Sequence, residues 1–326
     1  MELLKKLTEL DAPSGREGAL YSVIADEAQR LGFTVSKDAL GSVIAHKQGT
    51  GKKLMLASHT DEIGVIATYI DDNGFIRFGA IGGLCKKELH KRRVRFANGI
   101  VGVICAEEES FDNKPDINKM FIDIGAKDKK EAEEYVSVGD TAVFDGAFRT
   151  VGDTVISKAL DDRVGCYILL KAMANLKESK NDLYFVFTAQ EELGMRGAKT
   201  SAYSVMPDYA IAVDVTYTGD IPNAPRSDVK LGSGAAIKVM DGYVICDMEI
   251  VKILRELADK KNIPYTNDIM AAGGTDAGAI ALTAGGVKTG GISVPVRYMH
   301  SPSELAKISD INACIDLLIE ACEYEW

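Results

Sequence analysis

One apolar run constrains the fold of this chain more than any other feature. Residues 53–58, Lys-Leu-Met-Leu-Ala-Ser, form an apolar stretch of strand length, the kind that is buried on both faces of a parallel sheet. Strand-length runs follow at 183–188, 209–213 and 289–295, and segments with helical periodicity alternate with them at 164–176, 248–261 and 308–324. This alternation predicts an α/β fold with a mixed, mostly parallel sheet flanked by helices.

Between residues 64 and 152 the pattern changes to short alternating runs separated by turn signals. Asn-Gly pairs stand at 73–74 and 98–99, and strand-like runs at 75–78, 93–96 and 100–106, with only a short helical segment at 129–135. The stretch predicts an inserted β-rich domain, 64–152, within a second domain made of 1–63 and 153–326. The alternative is that these strands extend a single sheet.

The N-terminal region is predicted to be helical. Leu3, Leu4 and Leu7 fall on one helix face, and the pattern from Ser14 to Glu17 is typical of a capping box. We therefore expect a helix that opens at Ser14, runs to about residue 31 and ends with Gly32 just beyond it.

Composition excludes several classes of protein. The chain of 326 residues carries 48 acidic and 38 basic side chains, a formal charge of −10, which would repel a nucleic acid. Charges or glycines interrupt its apolar stretches well below the length of a membrane span, and the N-terminus lacks the apolar core of a signal peptide. Six cysteines stand without a C-x-x-C pair. We expect a cytoplasmic protein with reduced, mostly buried cysteines and no membrane partner.

Metal-ligand residue types follow the predicted buried strands. Because strands of an open α/β sheet present their carboxyl ends to one crevice, we expect these side chains to meet: His59, Asp61, Glu191, Glu192, Asp214 and His300, with Asp161 and Asp162 at the start of a helix. Each residue alone has an ordinary structural explanation. About five negative charges in one cleft, however, require cations. Arg163 and Arg297 could each pair with one carboxylate, but divalent metals account better for the set, and two imidazoles favour zinc or cobalt.

These motifs resemble those of the M42 family of dinuclear metallo-aminopeptidases, which includes glutamyl aminopeptidases and TET peptidases. The similarity extends from residues 12–17 to the final helix, and the motifs occur in the family's order: His-Thr-Asp-Glu at 59–62, Leu-Asp-Asp-Arg at 160–163, Gln-Glu-Glu at 190–192, Val-Asp-Val at 213–215, Gly-Gly-Thr-Asp at 273–276 and His-Ser-Pro at 300–302.

The resemblance implies two divalent metal ions per subunit, Zn²⁺ or Co²⁺, held by five ligands. Asp161 would bridge both ions, with His59 and Asp214 on one, and Glu192 and His300 on the other. Glu191 would be the general acid and base, and Asp61 would orient His59. The resemblance also implies a cis peptide bond between Asp161 and Asp162.

The implied activity is hydrolysis of the N-terminal peptide bond of short peptides by a metal-activated water, with Glu191 as general base. A free N-terminus would be required. The inserted domain would build dimers through a β-barrel, and dimers would assemble into tetrahedral dodecamers. The alternatives are a related dinuclear amidohydrolase, such as a deacylase or carboxypeptidase, and a non-catalytic assembly protein. The preferred first residue of the substrate does not follow from the sequence.

Overall fold

The chain forms an α/β unit and a β-barrel in the part described by the computed structural model, residues 1–107 and 115–326. The helices are α1 (Glu2–Glu9), α2 (Gly18–Arg30), α3 (Lys129–Tyr135), α4 (Leu160–Asn175), α5 (Arg196–Val205), α6 (Met248–Lys261), α7 (Asp276–Ala281) and α8 (Ile308–Glu323). The strands are β1 (Thr34–Lys37), β2 (Val43–Lys47), β3 (Lys53–His59), β4 (Gly64–Ile70), β5 (Ile76–Ile81), β6 (Arg93–Phe96), β7 (Val101–Ala106), β8 (Met120–Asp123), β9 (Thr141–Phe144), β10 (Arg149–Val151), β11 (Thr154–Ser157), β12 (Asp182–Thr188), β13 (Tyr209–Tyr217), β14 (Ala235–Met240), β15 (Tyr265–Ile269), β16 (Lys288–Arg297) and β17 (Glu304–Lys307).

A mixed sheet forms the centre of the α/β unit. Its main path runs β1-β2-β12-β3-β13-β16-β17-β11-β10, and β14 joins β16 and β15 beside this path. The four central strands β12, β3, β13 and β16 pair in parallel, whereas antiparallel strands flank them on both sides. The predicted mixed α/β sheet flanked by helices is confirmed, although antiparallel pairs outnumber parallel ones among its described strands. Its parallel centre holds the strands whose apolar runs predicted it.

Helices cover both faces of this sheet. One face packs against α1, α2, α4, α6 and α8 in the largest apolar core, and the other face packs against α5 and α7 in a smaller one. Helix α4 is buried along nearly its whole length, which accounts for its lack of a polar face. The central strands are therefore apolar on both sides because helices exclude water from both.

The β-rich stretch forms a closed barrel with its own apolar core. Its strands run in the order β4-β5-β8-β7-β6-β9, and the side chains inside form a cluster separate from the cores of the sheet. The β-barrel predicted for this region is confirmed. The boundary at residue 152 stays a prediction. Strand β10 lies inside the predicted insert, but it pairs with β11 in the large sheet and not with a barrel strand.

The predicted capping box at Ser14 is wrong. Helix α2 begins at Gly18, and the Ser14 hydroxyl donates instead to Oδ2 of Asp61 at 2.6 Å. The Ser14 side chain thus bonds to a buried carboxylate distant in sequence and does not cap a local backbone N–H. At the other end the helix stops as expected, with Gly32 at a φ of +86° and its N–H bonded to the carbonyl of Gln29.

Among the described residues, none of the helices combines the length and the apolar character needed to cross a bilayer.

Candidate metal centre

The central parallel strands bring the predicted site residues to one edge of the sheet. His59 is the last residue of β3, Glu191 and Glu192 follow β12, and His300 follows β16 after a short loop. Asp214 lies within β13, which is bonded to both β3 and β16. Asp161 stands in the first turn of α4, and the peptide bond between Asp161 and Asp162 is cis, as the resemblance implies.

Two groups of possible ligands share Asp161. One group is His59, Asp161 and Asp214, the other is Asp161, Glu192 and His300, and in each group the ligand atoms lie within 4.8 Å of one another. Oδ1 of Asp161 is 2.9 Å from Nε2 of His59, and Oδ2 is 3.2 Å from Nε2 of His300. The carboxylate thus presents one oxygen to each group, which is the arrangement that a bridging ligand requires.

The buried carboxylates of the site need positive charge nearby in order to ionise together. Burial would lower the pKa of His300, but hydrogen bonds to Asp161 and Glu192 outweigh it and raise that pKa to about 12. Burial raises the pKa of Asp214 to about 8 and that of Glu191 well above its usual value, against the opposing attraction of His59. Carboxylates this crowded and buried ionise together only beside cations, and divalent metal ions supply such charge.

The basic side chains near the site pair elsewhere. Arg163 bonds to Glu62 at 3.1 Å, and Arg297 to Asp220 at 2.6 Å. Across the part of the chain that the structure describes, no lysine or arginine forms an ion pair with the five predicted ligands. Neutralisation of these carboxylates by arginine, the alternative that the sequence left open, is therefore not what the fold provides.

Main-chain carbonyl groups orient both imidazole rings. Nδ1 of His59 lies 3.1 Å from the carbonyl oxygen of Asp61 and 3.5 Å from its Oδ1. Nδ1 of His300 lies 2.8 Å from the carbonyl oxygen of Gly83, in the segment that follows β5 of the barrel. A Cβ at Gly83 would stand 3.1 Å from the same ring nitrogen, so glycine allows this close approach. In both rings Nε2 faces the carboxylates.

Glu304 fixes the main chain of two predicted ligands. Its Oε2 accepts the N–H of Asp161 at 2.9 Å, and its Oε1 accepts the N–H of His300 at 2.8 Å. The side chain is buried, and burial together with the charge of Asp161 raises its pKa to about 8. One carboxylate therefore joins the helix start that carries Asp161 to the loop that carries His300.

Asp61 does the same for the segment after β12. Its Oδ1 accepts the N–H of Glu191 at 2.9 Å, and its Oδ2 accepts the N–H of Glu192 at 3.1 Å. Oδ2 of Asp162 accepts the N–H of His59 at 3.2 Å. We name the three buried carboxylates Asp61, Asp162 and Glu304 the backbone clamp, because together they hold the N–H groups of four of the five predicted ligands.

Sequence reasoning missed Glu304 and Gly83. The one signal for Glu304 was its position four residues after His300. Gly83 carried no signal, because its contact with His300 spans 217 positions of the chain.

The two ligand groups line a cavity of about 290 Å³. Glu191 faces this cavity, and Gly273 and Gly274 of the Gly-Gly-Thr-Asp segment lie along it. The wall also contains aromatic and thioether side chains from the end of β13 and from other loops: Met195, Tyr217, Tyr243, Met270 and Met299. A small, partly apolar chamber thus opens directly onto the carboxylates and imidazoles.

Known proteins share this sequence and fold over nearly their whole length. The family model described as M42 glutamyl aminopeptidase matches residues 41–317. A protein of Acetivibrio thermocellus with the provisional name of an aminopeptidase is 52% identical over 98% of this chain and 97% of its own. The structure of an aminopeptidase from the archaeon Desulfurococcus kamchatkensis is 40% identical, with a TM-score of 0.94, over 99% of this chain and 94% of its own. The Pyrococcus horikoshii TET1 peptidase, described as assembling into a tetrahedron or a large octahedral shell, is 32% identical over 98% of each chain, with a TM-score of 0.88. The chain belongs to the M42 glutamyl aminopeptidase family.

Proposed function

We propose that this protein is a dinuclear metal-dependent aminopeptidase that removes the N-terminal residue of short peptides. The observation that carries the proposal is the pair of ligand groups that share Asp161 on the wall of a cavity faced by Glu191. The ligands would be His59 and Asp214 on one ion and Glu192 and His300 on the other, with Asp161 bridging. Imidazole and carboxylate donors in this ratio suit Zn²⁺ or Co²⁺.

Two bound metal ions supply Lewis acidity, which lowers the pKa of water and polarises a peptide carbonyl. The residues of the chain provide the rest of the chemistry. Glu191 would take a proton from the attacking water and return it to the amine that leaves when the peptide bond breaks. Its main chain is held by Asp61, so the base is fixed relative to Glu192, the adjacent proposed ligand. Asp61 would also orient His59, through its carbonyl oxygen.

Restriction to the N-terminal bond follows from the size and charge of the cavity. A chamber of about 290 Å³ accommodates little more than one residue on the N-terminal side of the scissile bond. The carboxylates that surround it favour a free α-amino group, which can carry positive charge, over a neutral acetylated end.

We also propose that residues 64–152 form a dimerisation domain and that dimers build a dodecamer. Support comes from the closed barrel in this region and from the tetrahedral assembly described for the Pyrococcus horikoshii TET1 peptidase. The remaining residues, 1–63 and 153–326, would form the catalytic domain.

A panel of short peptides with free or acetylated N-termini tests the proposed activity. Metal-loaded protein should release one residue at a time from free N-termini only, and Glu191→Gln should be inactive while binding as much metal as the wild type. Glu178→Gln, an exposed charge change away from the cavity, should retain full activity. Equal cleavage of acetylated peptides, or release from the C-terminus, would refute the proposal and favour a deacylase or a carboxypeptidase.

A further inference from the structure

A second, larger concavity lies beside the catalytic cavity. This groove has a volume of about 800 Å³ and runs between α5 and α7, and Tyr203, Tyr243 and Leu282 contribute large, exposed side chains to it. They are 70%, 68% and 83% exposed, which is unusual for large apolar groups gathered in one place. Such contiguous exposed apolar surface commonly marks a binding site.

The groove adjoins the catalytic cavity. Gly194, Met195 and Tyr243 line both concavities. Gly194 follows the proposed ligand Glu192 by only two residues. The groove is therefore the neighbouring concavity for a peptide that extends beyond the proposed metal ligands.

Tyr243 lies between the two concavities and packs closely against two glycines. A Cβ at Gly274 would lie 2.1 Å from Cδ2 of Tyr243, and a Cβ at Gly278 would lie 2.7 Å from its Cβ. Only glycine fits at either position without displacing the aromatic residue. The side chain packs closely over backbone and still remains open to a ligand, so it offers a fixed aromatic surface rather than a mobile one.

We propose that this groove binds the part of the peptide substrate that follows the scissile bond, and that it selects apolar side chains at the second and third positions. The inference rests on the proposed aminopeptidase activity. The catalytic cavity is near the lower limit of ligand sites, about 300 Å³, so a longer peptide must leave it. The adjoining groove is lined by apolar groups and hydroxyls, and Lys199 is the one charged side chain among the described residues that line it.

Comparison of two substrates with the same preferred N-terminal residue, Xaa, tests the inference. One is the tripeptide Xaa-Leu-Phe, and the other is the simple amide Xaa-NH₂, which has no side chain or aromatic group after the scissile bond. Leu282→Ser and Tyr203→Ser remove apolar groups that line the groove but not the catalytic cavity. Each should lower kcat/KM for the tripeptide about 5- to 10-fold and leave kcat/KM for the amide unchanged. Val151→Ser, 67% exposed on β10, is the matched control and should change neither.

The same measurements distinguish other roles for the groove. An equal loss of kcat/KM on the tripeptide and the amide would mean that the groove holds the first side chain, and it would overturn the inference. An unchanged tripeptide rate together with an altered oligomeric mass would mean that a second copy of the chain covers the groove, and would also overturn it.

Failure of the proposed function would be recognised separately. If the wild type hydrolyses neither substrate, the aminopeptidase proposal falls. Tripeptide binding to Glu191→Gln, with and without Leu282→Ser, still decides the inference about the groove. Weaker binding in the double variant supports a peptide site, and equal binding refutes it.

Discussion

Replacement of Glu304 by Gln tests whether the backbone clamp prepares the metal centre. In the structure, Oε2 of Glu304 accepts the N–H of Asp161 and Oε1 accepts that of His300. A glutamine has one acceptor oxygen, so its amide N–H₂ would face one of the two N–H donors. Loss of one buried hydrogen bond to a charged group costs about 1.5–3 kcal/mol. If this cost reduces the affinity for metal, the Kd of the metal ions rises about 10- to 150-fold. Substitution of residues that hydrogen-bond to metal ligands typically has an effect of similar size.

The assay is titration of metal-free protein with Zn²⁺ in the presence of a competing chelator. Glu304→Gln should bind the ions more weakly by this factor, and excess metal should restore much of the lost activity. Glu256→Gln, on the exposed face of α6, is the matched control and should leave Kd unchanged. A Kd for Glu304→Gln within twofold of the wild type, with only the free energy of unfolding reduced, would show that Glu304 supports the fold and does not prepare the site.

Two further predictions concern buried groups. Glu62 bonds to the buried cations of Lys158 and Arg163, so Glu62→Gln should lower the free energy of urea unfolding by about 3–5 kcal/mol. Glu325→Gln removes an exposed ion pair and should barely change the free energy of unfolding. An equally small effect of both substitutions would contradict this prediction. Burial raises the pKa of Cys166 and that of Cys246 to about 12, which suppresses the reactive thiolate at pH 8. Peptide mapping after iodoacetamide treatment should find the exposed Cys85 labelled first, and rapid labelling of Cys166 would refute that reasoning.

The sequence was sufficient to predict residues whose position along a strand determines where they lie. His59, Glu192, Asp214 and His300 stand at or near the carboxyl ends of neighbouring strands, and a parallel arrangement brings such ends together. The β-rich character of residues 64–152 was also predictable, because alternating runs and tight turns are local features, whereas its closure into a barrel was implied by the family resemblance.

Tertiary partners were not predictable in this way. Ser14 fits the local pattern of a helix cap, yet its hydroxyl bonds to Asp61, 47 residues away. Glu304 acts on main-chain N–H groups, which every residue has, so no residue type reveals the contact. Gly83 reaches His300 only because the end of a barrel strand lies over the sheet edge.

The stoichiometry of metal binding tests the central claim most directly. Metal-free wild type titrated with Co²⁺ should bind two ions per chain, because two ligand groups share Asp161. His300→Ala and Asp214→Ala should each retain one strongly bound ion, and Asp161→Ala should lose tight binding of both. One ion per chain in the wild type, or loss of both ions in each single-site variant together with full retention in Asp161→Ala, would contradict a dinuclear centre bridged by Asp161.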